Sequence, residues 1–298
     1  MYKKETFTAV ILFFILQICF AQSSFQNLEL GKNSLNYKGN PLKATDRKSL
    51  AFSDKGAWFG FGFLEQSEMQ GGFSGPFLMT EQNGVWLSSS FISLHLTDKN
   101  EQELIDWKTA LVNQNSYNSH LEQEFQNEKL EVKQQLVFSS GHSAIQKTII
   151  TNRSSKTITL YPIYNSKTYL DNIQLSTEGQ FLKLVSSKSN AVGYIQFFNE
   201  GIDIVITKDS FTAKANKLTL KPNETKEIVV SQTYIFPQYD WKKENENLAK
   251  IQFNTLLKDT KKEKENQLAQ LIAKKKSIYK GAEYSIFIAK LLLTLQNN

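Results

Sequence analysis

Residues 130–165 read LEVKQQLVFSSGHSAIQKTIITNRSSKTITLYPIYN, and their patterning decides the fold class. Three runs, 130–140, 143–155 and 157–165, are rich in Val, Ile, Phe and Thr. Apolar residues at alternate positions with β-branched enrichment predict half-buried strands, because successive strand side chains point to opposite faces. The same signature returns in GIDIVITKDSFTAKA (201–215) and in KLTLKPNETKEIVVSQTYIF (217–236), the latter as two strands around a Pro-Asn-Glu turn. From about Leu28 to Phe236 the chain reads as strands and turns, broken at SSGHS, TNRSSK, STEGQ, FNEG and KPNE. Many short strands with little helix signal predict a mainly β fold, a large antiparallel β-sandwich over residues 22–240.

The character changes after FPQYDW (236–241). Residues 241–281 carry no proline, are rich in Lys, Glu, Gln, Leu and Ala, and place Leu268, Leu271 and Ile272 at helical spacing. They read as a linker of one or two amphipathic helices. Gly281 marks a break, and residues 282–298 form a final helix that is apolar nearly all round, of which the sandwich can cover only one flank. The formal charge of +6 resides in this tail, where residues 242–280 hold eleven lysines against five acidic residues. A nucleic-acid groove would interleave stacking aromatics with the lysines, and this tail does not, so a solvated helix face is expected and no nucleic-acid partner.

At the other end, MYKKETFTAVILFFILQICFAQSS has two lysines, an apolar run from Phe7 to Phe20, and Ala21 before polar Gln22. This is the pattern of a signal peptide over residues 1–21, cleaved near Ala21. The run is short for a bilayer span. The expectation is an exported chain, periplasmic or secreted, with no stable membrane span after cleavage and without its sole cysteine, Cys19.

Constellations that carry chemistry are sparse. His95, His120 and His142 have no second ligand at a metal-binding spacing, so each reads as a surface or edge-strand residue and no metal is expected. There is no G-x-S-x-G elbow and no phosphate loop, and the GFG at Gly60–Gly62 lacks the rest of a dinucleotide motif, so no cofactor is expected. One stretch stands out. GAWFGFGFLEQSEMQGGFSGPFLM (56–79) crowds Trp58, Phe59, Phe61 and Phe63 among glycines, then adds Gly71, Gly72, Phe73, Gly75 and Pro76. Glycines beside a proline suit a backbone with positive φ, or one that something approaches closely. Two readings stay open: a core aromatic cluster with a tight hairpin, or a platform on which a sugar face stacks.

KGAWFGFGF (55–63) followed by MQGGFSGPFLMTEQNGVWLS (69–88) resembles the N-terminal domain of bacterial exported family 63-like, trehalase-like glycoside hydrolases. The matching positions are Gly56, Ala57, Trp58, Gly60, Gly71, Gly72, Phe73, Gly75, Thr80 and Glu81; Phe59 and Ser74 replace a histidine and a proline common in the family. The resemblance implies an N-terminal sandwich, linker helices, and a catalytic (α/α)6 barrel of which residues 282–298 would be the first helix. No position matches the family's two catalytic acids, so none is assigned. Asp54, Glu65, Glu68 and Glu81 read as turn or rim residues. The expected function is that of a non-catalytic N-terminal domain, or a truncated form, of an exported glycosidase acting on α-glucosides, inactive alone. The alternative is a free-standing carbohydrate-binding or scaffold sandwich. Trp58, Gly71, Gly72, Phe73, Gly75 and Pro76 are the expected substrate or domain-interface loop. The expected partners are a carbohydrate and a separately encoded catalytic barrel domain.

Overall fold

The computed structural model describes residues 25–296 apart from Asn199, Glu200, Lys275, Ser277 and Lys280. The expected signal peptide, with Cys19 and Ala21, lies outside the described residues. In chain order the strands are β1 (Phe59–Gly62), β2 (Ser74–Leu78), β3 (Val85–Trp86), β4 (Ser93–Thr97), β5 (Leu111–Ser116), β6 (Leu121–Gln126), β7 (Leu130–Phe138) and β8 (Ser143–Asn152). They continue as β9 (Ile158–Lys167), β10 (Ile173–Glu178), β11 (Phe181–Ser186), β12 (Val192–Phe197), β13 (Asp203–Ile206), β14 (Ser210–Lys214), β15 (Leu218–Leu220) and β16 (Thr225–Ile235). The helices are α1 (Gln26–Gly31), α2 (Trp107–Ala110), α3 (Trp241–Lys250), α4 (Phe253–Ala273) and α5 (Ala282–Gln296).

The expected mainly β sandwich is present. One antiparallel sheet of eight strands runs β10-β11-β12-β16-β8-β7-β6-β5, and a second, of five strands, is built around β9, which pairs β4, β14 and β15. Residues 217–236 form two strands as read, but not a hairpin: β15 pairs β9 in the second sheet, whereas β16 inserts between β12 and β8 in the first. The turn at Asn223, with φ of 61°, thus carries the chain from one layer to the other.

Alternation fixes what each face does. Leu130, Val132, Leu136 and Phe138 of β7 meet Leu160 and Tyr164 of β9 and Phe211 and Ala213 of β14 in the main core. The opposite face of the large sheet is apolar only in patches, and Val137 and Ile145 there are covered by Leu248 of α3 and by Phe253 and Leu257 of α4. Asp240 caps α3 by accepting hydrogen bonds from the Lys242 and Lys243 backbone N–H groups. The 241–281 segment is therefore two helices laid on the sandwich. The expectation of strands from Leu28 onward is corrected at two places, α1 and α2. Helix α1 owes its stability to tertiary contacts: the Glu265 carboxylate accepts from the Asn27 and Leu28 backbone N–H groups at its N-terminus, and Leu28 packs with Tyr117, Leu268 and Ala289.

Helix α5 is covered on one flank, as the sequence implied. Ser285, Ala289 and Leu293 are buried, with Leu293 reaching the main core, while Ile286, Phe287, Leu291 and Leu295 remain exposed. Among the described residues no helix is long and apolar enough to cross a membrane.

A buried ion pair ties α4 to the strand layers. Lys264 Nζ donates to Asp54 Oδ1 at 2.6 Å, with side chains only 5% and 3% exposed. Removing one partner strands a charge in a low-dielectric interior, so Asp54→Ala is expected to cost about 3–5 kcal/mol of stability, read from urea unfolding. The double variant Asp54→Leu/Lys264→Met should recover most of that loss. An unchanged midpoint in Asp54→Ala would show that water, not the pair, solvates Lys264.

Candidate functional site

The turn at Lys55 and Gly56, both with positive φ, ends the approach to β1 and turns the Trp58 side chain outward. Its neighbours along the strand alternate the other way: Phe59, Phe61 and Phe63 are core residues, while Trp58 is 60% exposed. Distant segments complete its surroundings. The β7–β8 turn brings Gly141 and His142, and the stretch that leads from β16 to α3 brings Phe236, Gln238 and Tyr239. Together these residues line a cleft of about 300 Å³. The Trp58 ring meets Phe236 edge-on at 6.5 Å, and His142 lies 4.2 Å from the Tyr239 ring. Such a surface offers flat apolar faces with an amide and an imidazole beside them, which suits stacking on a sugar ring or on an apolar partner. No carboxyl group lines it, so it has no acid or base of the kind glycoside cleavage requires.

The other five residues of the expected loop are placed differently. Gly71, Gly72, Phe73, Gly75 and Pro76 are all buried, so they form no surface continuous with Trp58. The physical reason is close approach between layers. A methyl group on Gly71 would lie 2.0 Å from the Leu94 carbonyl oxygen and 2.6 Å from the Trp107 ring; one on Gly72 would lie 2.4 Å from the Ile92 carbonyl oxygen. Positive φ belongs to Gly75 alone of the three, at 104°, before a cis bond to Pro76. Sequence reasoning missed what lies beneath. Gln114, Gln123, Gln134 and Thr148 stand directly opposite one another across β5, β6, β7 and β8. The Gln134 Nε2 donates to the Gly71 carbonyl at 2.9 Å, and the Gln123 Nε2 to the Gly72 carbonyl at 3.0 Å. The available signal was a polar amide at an inward position of an otherwise apolar alternation, Leu130, Val132, Gln134, Leu136, Phe138.

The titratable candidates are committed to structure. Asp54 holds Lys264, and Glu81, only 7% exposed, accepts from the Asn172 amide. Both begin turns, as read, since Ala57 and Gly84 N–H donate to their carbonyls, but their side chains are interior rather than at a rim; Glu65 and Glu68 are exposed as expected. His95 bridges Glu103 and Asn165, and hydrogen bonding to Glu103 raises its pKa. His120, expected at a surface or edge, is fully buried instead. It stacks on Tyr117 at 4.6 Å, its Nδ1 pairs with Ser119, and burial lowers its pKa to about 4. Among the described residues no group of three or more His, Cys, Asp or Glu is placed to hold a metal ion.

The chain matches the family model described as glucosidase YgjK, N-terminal, over residues 39–191, a span that contains the whole glycine-rich stretch. No curated protein sequence matches it. Among solved structures it is similar to a protein assigned as a kojibiose phosphorylase from the human microbiome, at 11% identity and a TM-score of 0.49, over 80% of this chain and 34% of that one. It is also similar to a family GH92 α-mannosidase from Bacteroides thetaiotaomicron, at 10% identity and a TM-score of 0.48, over 82% of this chain and 38% of that one. A galactose mutarotase-like protein from Lactobacillus casei is similar at 7% identity and a TM-score of 0.42, over 62% of this chain and 99% of that one. The chain thus spans little more than a third of the length of the first two.

Two expectations follow. Trp58→Ala should change stability by no more than about 0.5 kcal/mol, as for an exposed residue, whereas Phe59→Ala should cost about 3–5 kcal/mol; equal losses would place Trp58 in the core. The folded protein keeps His120 neutral down to about pH 4, while the unfolded chain protonates near 6.5. Between these values the unfolded state binds more protons, so stability present above pH 6.5 is lost as pH falls towards 4, by on the order of 3 kcal/mol. His120→Gln should flatten that part of the stability profile, and an unaltered profile would show that His120 is accessible to protons in the folded state.

Proposed function

Because the chain belongs to the family of glucosidase YgjK N-terminal domains, we propose that it serves as the non-catalytic β-sandwich of an exported family 63-like glycoside hydrolase acting on α-glucosides. The family match over residues 39–191 carries the reading. Inverting and retaining hydrolysis both need two carboxyl groups, about 6.5–9.5 Å or about 5–5.5 Å apart, in environments that hold one protonated and the other ionised. The interior acids have other work: Asp54 anchors Lys264, and Glu122 bonds Gln135 and Lys133. A helical catalytic domain supplies the acid pair, and the sandwich braces it. The exposed apolar flank of α5, with Ile286, Phe287, Leu291 and Leu295, supports a helical neighbour there, since several large side chains left in water form a patch that partners cover. Export with cleavage near Ala21 belongs to the same proposal.

A second reading, a free-standing carbohydrate-binding module, draws its support from the exposure of Trp58 at the aromatic cleft. Incubation of the purified chain with maltose, isomaltose and kojibiose separates an enzyme from a bracing domain. The expected outcome is no glucose release from the chain alone. Release that disappears in Glu81→Gln or Glu68→Gln would overturn the non-catalytic assignment. Maltose binding that is lost in Trp58→Ala, at unchanged stability, would favour the module.

A further inference from the structure

A second cleft, of about 500 Å³, opens on the five-stranded sheet away from Trp58 and is lined almost wholly by neutral hydrogen-bonding groups. Its floor is a row of polar residues on three neighbouring strands: Ser93 of β4 stands opposite Asn165 of β9, which stands opposite Thr212 of β14. Directly opposed residues share a sheet face, so these three side chains converge. Ser88, Ser89 and Ser90 form one wall, and Ser88 and Ser166 bond each other at 3.0 Å across it. Tyr169 stands at the rim, 37% exposed, its phenol fixed by donation to the Pro41 carbonyl at 2.7 Å.

The Asn165 amide is oriented from behind. Glu103 accepts from His95 Nδ1–H and favours the doubly protonated imidazolium, whose Nε2–H donates to Asn165 Oδ1 at 3.2 Å. The Asn165 Nδ2 group then has no hydrogen-bond partner among the described residues. Lys167, the one charged residue in the lining, is matched by Asp209 at 3.0 Å. No carboxyl group lines the cleft.

We propose that this hydroxyl- and amide-lined cleft is a binding site for a neutral saccharide, with Asn165 and Thr212 bonding its hydroxyls and the Tyr169 ring against one sugar face. The chemistry selects that class. Paired hydroxyl and amide groups replace water at sugar hydroxyls without demanding a counter-charge. A fixed aromatic ring contributes flat apolar area at little entropic loss. The volume lies in the range of small-ligand pockets and accommodates about one or two pyranose rings. The site is independent of any catalytic partner and stands whether or not the chain braces a glycosidase.

Titration calorimetry of the full chain with glucose, galactose, mannose, maltose and cellobiose tests it. At least one of these sugars is expected to bind saturably, with a Kd on the order of 1–10 mM. The isosteric variant Thr212→Val and the variant Asn165→Ala should each weaken it by about fivefold or more. Both are partly exposed and should keep the wild-type unfolding midpoint, and Trp58→Ala should leave the affinity unchanged. The absence of saturable binding by all five sugars would overturn the proposal. So would binding that Trp58→Ala abolishes while Thr212→Val and Asn165→Ala leave it intact, since that places the sugar in the aromatic cleft. Binding of inorganic sulfate that displaces the sugar and is lost in Lys167→Ala would overturn the neutral class.

Discussion

The main chain at Gly71 and Gly72 lies wedged between the two sheets, and the rest of the sandwich is arranged around that contact. On one side it meets the second sheet, where Leu94 N–H donates to the Gly71 carbonyl at 3.0 Å and the Ile92 carbonyl leaves no room for a Cβ on Gly72. On the other it meets the first sheet, where Gln123 and Gln134 donate to the Gly72 and Gly71 carbonyls. A backbone buried between layers must find partners for its polar groups. The glutamine row supplies them, and its members bond one another, as in the 2.7 Å contact from Gln123 Nε2 to Gln134 Oε1. The glycine-rich signature is thus an interlock between layers, and it is buried because only bare backbone fits there.

That arrangement leaves the solvent-facing clefts elsewhere. Trp58 escapes burial because strand alternation turns it away from Phe59 and Phe61, and it joins Phe236, Tyr239 and His142 at the junction with α3. The hydroxyl-lined cleft lies on the other sheet, behind the Ser88–Ser90 segment. Ser89 and Phe91 bond Gly75 on both its N–H and its carbonyl, so the interlock also fixes the wall of that cleft. Two surfaces of different chemistry, one aromatic and one hydroxylic, are therefore held by one rigid centre. The acids that sequence proximity made conspicuous are spent on fixing elements instead, Asp54 on α4 and Glu81 on the segment before β10.

Much of the strand pattern was legible because alternation is a local signal: β7, β8, β9, β13 and β14 fall where Val, Ile, Phe and Thr alternate. What escaped was set by partners remote in sequence. Helix α1 is six residues long and depends on Glu265, more than 230 residues away, for its N-terminal hydrogen bonds. The two strands β15 and β16 were legible but their partners were not, because a turn between two strands does not disclose that each pairs in a different sheet. In the candidate site, the aromatic run resolved into three core residues, Phe59, Phe61 and Phe63, and one exposed residue, Trp58, only once β1 was known to be buried throughout. His120 was hidden for a similar reason, since the Tyr117 ring it stacks on belongs to a cluster with Leu28 of α1, Leu268 of α4 and Ala289 of α5, all remote in sequence. The glutamines carried a faint signal, an amide at an inward position, which becomes readable when the glycines above it are seen to need donors.

Equilibrium unfolding of the Gln123→Leu variant tests the interlock most directly. Leucine keeps the volume near that of glutamine but removes the donor to the Gly72 carbonyl, which has no other hydrogen-bond donor among the described residues. If the glycine pair is held by the glutamine row, stability falls by about 1–3 kcal/mol, as for a buried acceptor left unpaired. A midpoint equal to that of the wild type would contradict the account, because it would mean that the segment at Gly71 and Gly72 is hydrated and open rather than locked between the sheets.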